Sequence, residues 1–372
     1  MRLENVKKEM VNRGIETLII TQPDNIFYLT GHETTGYDVL QALIVPLDGG
    51  EPYSLTRFLE QSNMITRSWV EDCHIYLDHE DSAKKLIDLL YETKRDKTKI
   101  GYEIEGMFLP LKTRLALEKE FLQNLISGSG VVEKVRRIKS KAELELMQKV
   151  ADLSVVGMKA GIDATKVGVH EHEIAAAVHE AMYRAGSHYP SVRPYISSGW
   201  KTNVGHATWT DKKIENNECV FLELTACLDR YHAPLMRTVF TGKVPQNILD
   251  GEKVVLEHLE RLKEFMKPGV TASEVDLLTR SEDQLRKIKA TRISRIGYGM
   301  GISFAPTWDE GNVVSLVQGN QTPLETGMAF HLIPWIQFPD DDAVMTISET
   351  VVVTDKGAKS LMPSLALDMV VK

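Results

Sequence analysis

Cysteine is scarce. The chain of 372 residues has three, Cys73, Cys219 and Cys227. An odd and sparse set does not build a disulfide framework and reads as reduced thiols, which points to a cytoplasmic protein. Basic charge is in deficit, with 44 Lys and Arg against 52 Asp and Glu and a formal charge of −8. The chain therefore lacks the basic face that would neutralise phosphates, and no nucleic-acid partner is expected. No apolar run approaches the ~18 residues of a membrane span, and the charged start MRLENVKKEM has no apolar signal core, so no membrane partner is expected either. Aromatic residues are only 7%, so the places where they gather carry information. The remaining composition, 43% hydrophobic and 26% charged, is that of an ordinary globular protein and excludes a disordered or fibrous chain. At ~100–200 residues per domain, the length allows two or three domains.

The spacing of Leu3, Val6, Met10 and Val11 predicts a helix over 2–13, with Gly14 as its stop. Leu18-Ile19-Ile20, Leu40 to Val45 and Ile100-Gly101-Tyr102 read as strands, so residues 1–130 alternate strands and helices as an α/β layer does. Ser127-Gly128-Ser129-Gly130 is the most linker-like segment and sets the expected domains at 1–130 and 131–372. Ser140 and Glu143 then have capping-box spacing, ahead of a helix through Leu144, Met147, Ala151, Val155 and Met158. Further helices are predicted over 170–185, 248–266 and 272–287, and strands over 219–224, 236–240, 328–336 and 350–354. This half reads as α+β, with long helices covering a mostly antiparallel sheet.

Short motifs then fall in an order that resembles a known superfamily. Asn25-Ile26-Phe27-Tyr28-Leu29-Thr30-Gly31 is similar to the N-terminal signature of the prolidase and creatinase branch. Arg137-Ile138-Lys139-Ser140-Lys141-Ala142-Glu143, Glu223-Leu224, Arg237-Thr238, Gly327-Met328-Ala329-Phe330, Pro334 and Val351-Val352-Val353-Thr354 follow as in the creatinase/aminopeptidase P/methionine aminopeptidase superfamily. The resemblance covers nearly the whole chain. It implies a creatinase/prolidase-type α/β domain followed by a pita-bread catalytic domain, and the homodimer usual for creatinase-like architecture.

The peptidases of that superfamily hold two divalent metals with two Asp, one His and two Glu. The resemblance places those positions at Glu223, Pro234, Tyr298, Ile333 and Ser348, where Pro and Ile offer no side-chain donor. The expectation is therefore no metal and no cofactor. Glu349, next to Ser348, is not counted as a replacement ligand, because neighbours on a strand face opposite ways; it is kept as a substrate-binding candidate. Losing the metals removes both the activated hydroxide and the polarising cation, which predicts a substrate that is already electrophilic, such as a protonated amidine or guanidine. Creatinase is the metal-free precedent, acting on a guanidino group. Tyr189-Pro190-Ser191, Arg230 to Leu235, Gly297-Tyr298, Gly301-Ile302-Ser303, Pro306, Trp308, Phe330-His331-Leu332 and Ile347-Ser348-Glu349 are similar to the metal-free ectoine hydrolase branch. That resemblance implies a metal-independent hydrolase opening a zwitterionic cyclic amidine. A creatinase-like amidinohydrolase, an Xaa-Pro dipeptidase-like protein and a non-catalytic small-molecule binder of the same fold stand as alternatives.

Four residues are the catalytic candidates. His206 matches the shared catalytic His of the superfamily, and an imidazole is the side chain suited to exchanging protons near neutral pH, although most of the eleven histidines must be ordinary hydrogen-bonded or surface residues. Glu223 sits in an apolar strand, where a carboxylate is costly unless it is functional or paired, for instance with Arg237 or Arg230. Tyr298 can donate to a leaving nitrogen or an oxyanion, or simply fill space left by the metals. His331 can orient Glu223 or a water, or be a satisfied core His. The substrate-binding candidates are Tyr37, Arg57, Trp200, Trp209, Trp308, Trp335 and Glu349. The tryptophans offer faces for a delocalised cation or simply pack. In creatinase-like dimers the N-terminal domain reaches the partner's active site, so Arg57 could clamp a substrate carboxylate, or be an ordinary surface Arg.

Overall fold

The computed structural model describes residues 1–280, 282–292 and 294–372. It divides into two units, Met1–Arg136 and Arg137–Lys372. The expected boundary at 130/131 thus moves, because the helix Val131–Arg136 packs in the first unit, where buried Arg136 pairs with Asp24 at 3.0 Å. The Ser-Gly-Ser-Gly segment is no linker. The Gly128 N–H donates to the Tyr102 carbonyl at 2.8 Å, and a Cβ there would stand 2.7 Å from Leu18 Cδ1. Glycine is needed for close packing, not for flexibility.

The first unit is built on a six-stranded mixed sheet in the order Cys73–Tyr76, Tyr53–Arg57, Ala42–Pro46, Thr17–Ile20, Ile100–Tyr102, Leu125–Ser127. The helix Arg2–Arg13 ends at Gly14 in the left-handed conformation, as the sequence predicts, but Val11 faces solvent. The Asn25 motif has a structural cause. Asn25 Nδ2 donates to the buried Glu103 carboxylate at 2.5 Å, and that carboxylate also accepts from the Thr21 and Gln22 amides at the start of the helix Pro23–Thr30.

In the second unit, the helix Lys141–Ala164 opens with the expected capping box, Ser140 Oγ accepting from Glu143 N and the Glu143 side chain accepting from Ser140 N. It lies beside the helix Glu171–Arg184. Together they cover a four-stranded sheet in the order Val370–Val371, Leu235–Phe240, Cys219–Leu224, Tyr195–Ser198. The approach is close because the covering helix carries glycines: a Cβ at Gly157 would stand 2.5 Å from Met182 Cγ and 3.3 Å from Leu224 Cδ1, and one at Gly161 3.5 Å from Leu222 Cδ1. Leu222 and Leu224 therefore face the helices, and strand alternation turns Phe221 and Glu223 to the other side. A five-stranded antiparallel sheet follows, in the order Ser315–Leu316, Gly297–Gly299, Ala329–Leu332, Glu349–Thr354, Gly357–Ser360.

Two expectations change here. The run 328–336 is two strands, Ala329–Leu332 and Trp335–Phe338, in different sheets; Ile333-Pro334 separates them, since proline cannot donate to a ladder. The helix expected over 272–287 is two, Ala272–Leu277 and Glu282–Lys287. The Arg280 amide turns to the Leu277 carbonyl at 3.2 Å while Thr279 Oγ1 takes the Asp276 carbonyl, and the ladder stops. Helix Gln246–Phe265 matches its prediction closely. Among the described residues no helix is long and apolar enough to cross a membrane.

Candidate active site

Glu223 decides where the site lies. Its strand register places Tyr195 and Met236 beside it on the two flanking strands. These three, with Phe221, form one wall of a cavity of about 320 Å³, closed by His206, Arg295, Tyr298, Ile333 and Trp335. The volume suits a small molecule rather than a peptide chain. Among the described residues no hydrogen bond or ion pair reaches the Glu223 carboxylate, which is 6% exposed. The possible partners are engaged elsewhere: Arg237 donates to the Met236 and Ser348 carbonyls at 2.8 and 2.9 Å, and Arg230 to Tyr189 O at 2.9 Å and Ser303 O at 3.1 Å. Burial, helped by the nearby Asp309 carboxylate, pushes the Glu223 carboxyl up to about 8.

His206 stands exposed at the rim, its ring 5.6 Å from that of Tyr195. Its backbone is left-handed, with φ 59°, a conformation a non-glycine residue holds only when its surroundings impose it. The cause is a buried ionic anchor just before it. Lys201 Nζ donates to Glu171 Oε2 at 2.5 Å and to the Thr208 carbonyl at 3.0 Å, while Glu171 Oε2 also accepts from the Thr210 amide at 2.8 Å. The loop 201–210 is thereby pinned at both ends, with the imidazole between.

Other lining residues bring hydrogen-bond donors. The Arg295 guanidinium lies 4.5 Å above the Tyr298 ring and 3.1 Å from Asp309. Trp335 Nε1 and Ser294 Oγ are both buried, both on the cavity wall, and without a hydrogen-bond partner among the described residues. Phe221 and Trp335 stack at 5.5 Å and 18°. Tyr298 accepts from Trp308 Nε1 at 3.3 Å and touches His331 Nδ1 at 2.8 Å. Burial and the Glu223 charge push its hydroxyl well above the ordinary phenol range, so Tyr298 stays neutral.

Of the sequence candidates, Glu223, His206, Tyr298 and Trp335 line the cavity, and Trp308 supports Tyr298. His331 is fully buried behind Tyr298, pairing with it across the strands, and does not reach the cavity. Burial lowers its imidazole to about 3, so it is neutral. Glu349 is corrected: it turns away and binds Lys263 at 3.3 Å and Ser360 Oγ at 2.5 Å. Trp200 is 60% exposed and Trp209 lies edge-on against His179, so neither forms the aromatic wall expected of it. Tyr37 packs edge-on against Phe108, and Arg57 is 3.9 Å from Glu60 and 3.8 Å from Asp78, all within the first unit, whereas every residue lining the cavity belongs to the second. Sequence reasoning missed Arg295, Ser294 and Tyr195. Their only signal was closeness in the chain to Tyr298 or to the loop of His206.

The residues do not fit a two-metal centre. Pro234 and Ile333 bring no donor, and the Ser348 and Tyr298 hydroxyls are engaged with His331. Among the described residues no three His, Cys, Asp or Glu side chains gather closely enough to hold an ion.

Fold and site together define a creatinase-type N-terminal domain joined to a pita-bread hydrolase domain. The chain belongs to metallopeptidase family M24, matched over residues 145–355, preceded by a creatinase/prolidase N-terminal domain over residues 2–138. It is 30% identical to an uncharacterised hydrolase/peptidase of Sinorhizobium fredii, covering 97% of this chain and 94% of that one. It is 28% identical to the ectoine hydrolase of Halomonas elongata, with the same coverage of 97% and 94%. The solved prolidase of Pyrococcus furiosus superposes with a TM-score of 0.79 at 25% identity, covering 97% of this chain and 100% of that one. The chain is a hydrolase of this family.

Proposed function

We propose that this hydrolase opens a small zwitterionic cyclic amidine, ectoine being the best fit, without a metal ion, giving the N-acetylated diaminobutyrate. The observation that carries the reading is the unpaired, buried Glu223 carboxylate in a cavity whose lining also presents orphan donors. A ligand with both a cation and a carboxylate satisfies both: the amidinium meets Glu223, and the carboxylate meets Arg295, Ser294 Oγ and Trp335 Nε1. The stacked Phe221 and Trp335 rings add an aromatic flank for a delocalised cation.

In the reaction, water adds to the amidinium carbon and gives a proton to His206. The adduct's hydroxyl becomes the amide carbonyl as one ring C–N bond breaks. The departing nitrogen takes up the hydroxyl proton and the His206 proton, and leaves as an ammonium. Glu223 holds the cation in place, and neutral Tyr298 donates a hydrogen bond to the oxygen or nitrogen that gains electrons.

The test is a product-mass assay with ectoine, creatine and Xaa-Pro dipeptides, each with and without a strong chelator. Ectoine is expected to gain the mass of one water, with or without chelator. Cleavage of an Xaa-Pro dipeptide that depends on added divalent metal would replace this reading with the prolidase one. Thermal stabilisation by ectoine without turnover would make the chain a binding protein.

A further inference from the structure

Behind Tyr298 lies a chain of hydrogen bonds whose direction can be worked out by counting protons. Tyr298 Oη has two neighbours at hydrogen-bond distance among the described residues, Trp308 Nε1 at 3.3 Å and His331 Nδ1 at 2.8 Å. His331 Nε2 lies 2.6 Å from Ser348 Oγ, and Ser348 Oγ accepts from the Met236 amide at 2.6 Å. His331 and Ser348 are completely buried, so no solvent enters the count.

His331 is neutral, so one ring nitrogen donates and the other accepts. If Nε2 carried the proton, Ser348 Oγ would receive donors from both Met236 and His331, and its own hydrogen would have no further acceptor among the described residues. If Nδ1 carries it, Ser348 accepts from Met236 and donates to Nε2, and every donor from the Met236 amide to the His331 ring is matched; the one hydrogen left over belongs to Tyr298, which lines the cavity, and not to the fully buried Ser348. In that arrangement Tyr298 Oη receives two donors, the indole N–H of Trp308 and the imidazole N–H of His331. Its own hydrogen then has nowhere to go along the relay and turns to the cavity.

We propose that Ser348 and His331 are positioning residues that hold Tyr298 as a one-way hydrogen-bond donor into the cavity, toward a substrate oxygen or nitrogen that gains negative charge. Two of the positions aligned with metal ligands, Tyr298 and Ser348, thereby do a related job with neutral groups. They stabilise developing charge through a fixed dipole, without an ion. This rests on the cavity being the reactive one, but the decisive measurement does not need a substrate.

That measurement is a two-bond ¹H–¹⁵N correlation spectrum of the full chain labelled at histidine, with His331 assigned by its loss in His331→Asn. The wild-type ring is expected to show the Nδ1-protonated pattern, unchanged from pH 6 to pH 9. An Nε2-protonated ring would overturn the proposal by itself. Ser348→Ala is expected to move the ring toward the Nε2-protonated form and to lower kcat at least tenfold with KM little changed, while Ser348→Thr, which keeps the hydroxyl, restores both. A Ser348→Ala protein with the wild-type tautomer and kcat would also overturn it. If Ser348→Ala does not fold, the wild-type spectrum still decides. If the wild-type protein turns over no amidine, the functional reading fails and the tautomer result stands apart from it.

Discussion

Replacing Glu223 with Gln tests the electrostatics of the site without reference to any substrate. The carboxyl is pushed from 4.5 up to about 8 in the folded chain. Its folded value lies above its unfolded one, so between those two pH values the folded state holds a proton that the unfolded state has released. Stability from this group is fully present below about pH 4.5 and is lost as pH rises through about 8. The span is roughly 3.5 pH units at about 1.4 kcal/mol each, or at most about 5 kcal/mol. Gln is the neutral counterpart of the protonated acid and removes the linkage. Glu223→Gln is therefore expected to match the wild type near pH 5 and to exceed it by about 3–5 kcal/mol at pH 9. At roughly 2–4 °C per kcal/mol, that is a gap of about 10 °C in Tm. Differential scanning calorimetry of both proteins at half-unit steps from pH 5 to pH 9 reads it directly, and all other titrating groups cancel in the difference. Parallel curves would refute the claim that Glu223 is buried and unpaired.

The other predictions concern chemistry. Because the Glu223 carboxyl sits near 8 when the site is empty, a cationic amidine should bind about tenfold more tightly for each pH unit gained below 8 and release a proton on binding; calorimetry in buffers of different ionisation heat would detect this, and pH-independent affinity would contradict it. His206→Gly relieves the left-handed backbone strain that His206→Ala retains, so both should lose about 10²–10⁴-fold in kcat while the Gly variant melts above the Ala variant; equal melting temperatures would count against strain at this residue. Arg295→Ala should raise KM for a carboxylate-bearing amidine but not for its amide, a split visible in steady-state kinetics. Glu171→Ala strips the partner from buried Lys201 and should cost about 3–5 kcal/mol and release the His206 loop, readable by denaturation and by proteolysis within 201–210. Sedimentation is expected to show a homodimer of the 41.8 kDa chain; a monomer at assay concentration would remove Tyr37 and Arg57 from the substrate-binding set.

Much of the architecture was legible because local rules agree with the final packing. The Ser140–Glu143 box starts a helix, Gly14 ends one, and the apolar run 219–224 is a central strand. The departures share a cause: local composition does not show what surrounds a segment in the fold. Ser127 to Gly130 looks flexible in isolation, yet Gly128 is small because Leu18 and Tyr102 press on it. The run 328–336 is apolar throughout, and only Pro334 hints that it serves two sheets. Glu223 was legible because an acid in an apolar strand is anomalous in any context. Arg295 and Ser294 were not, because a basic and a hydroxyl residue in a polar loop carry no such anomaly. Four tryptophans were expected at the site, and the structure brings one to the cavity wall and one behind Tyr298. The sequence shows where such rings stand along the chain, not which way they turn.

The strand carrying Glu223 has one more consequence. Phe221 and Glu223 face the cavity while Leu222 and Leu224 turn to the helices, 3.5 and 3.3 Å from where a Cβ would stand at Gly161 and Gly157. The cavity-facing carboxylate and the helix contact are thus the odd and even residues of a single segment. A slip of one residue in pairing would drive the acid into the helices and two leucines into the cavity, losing both at once. The glycines of the covering helix let the two helices close together over that face of the strand. Enlarging either would press first on Met182 or Val178 of the neighbouring helix, and through that helix pair on the strand that holds the acid.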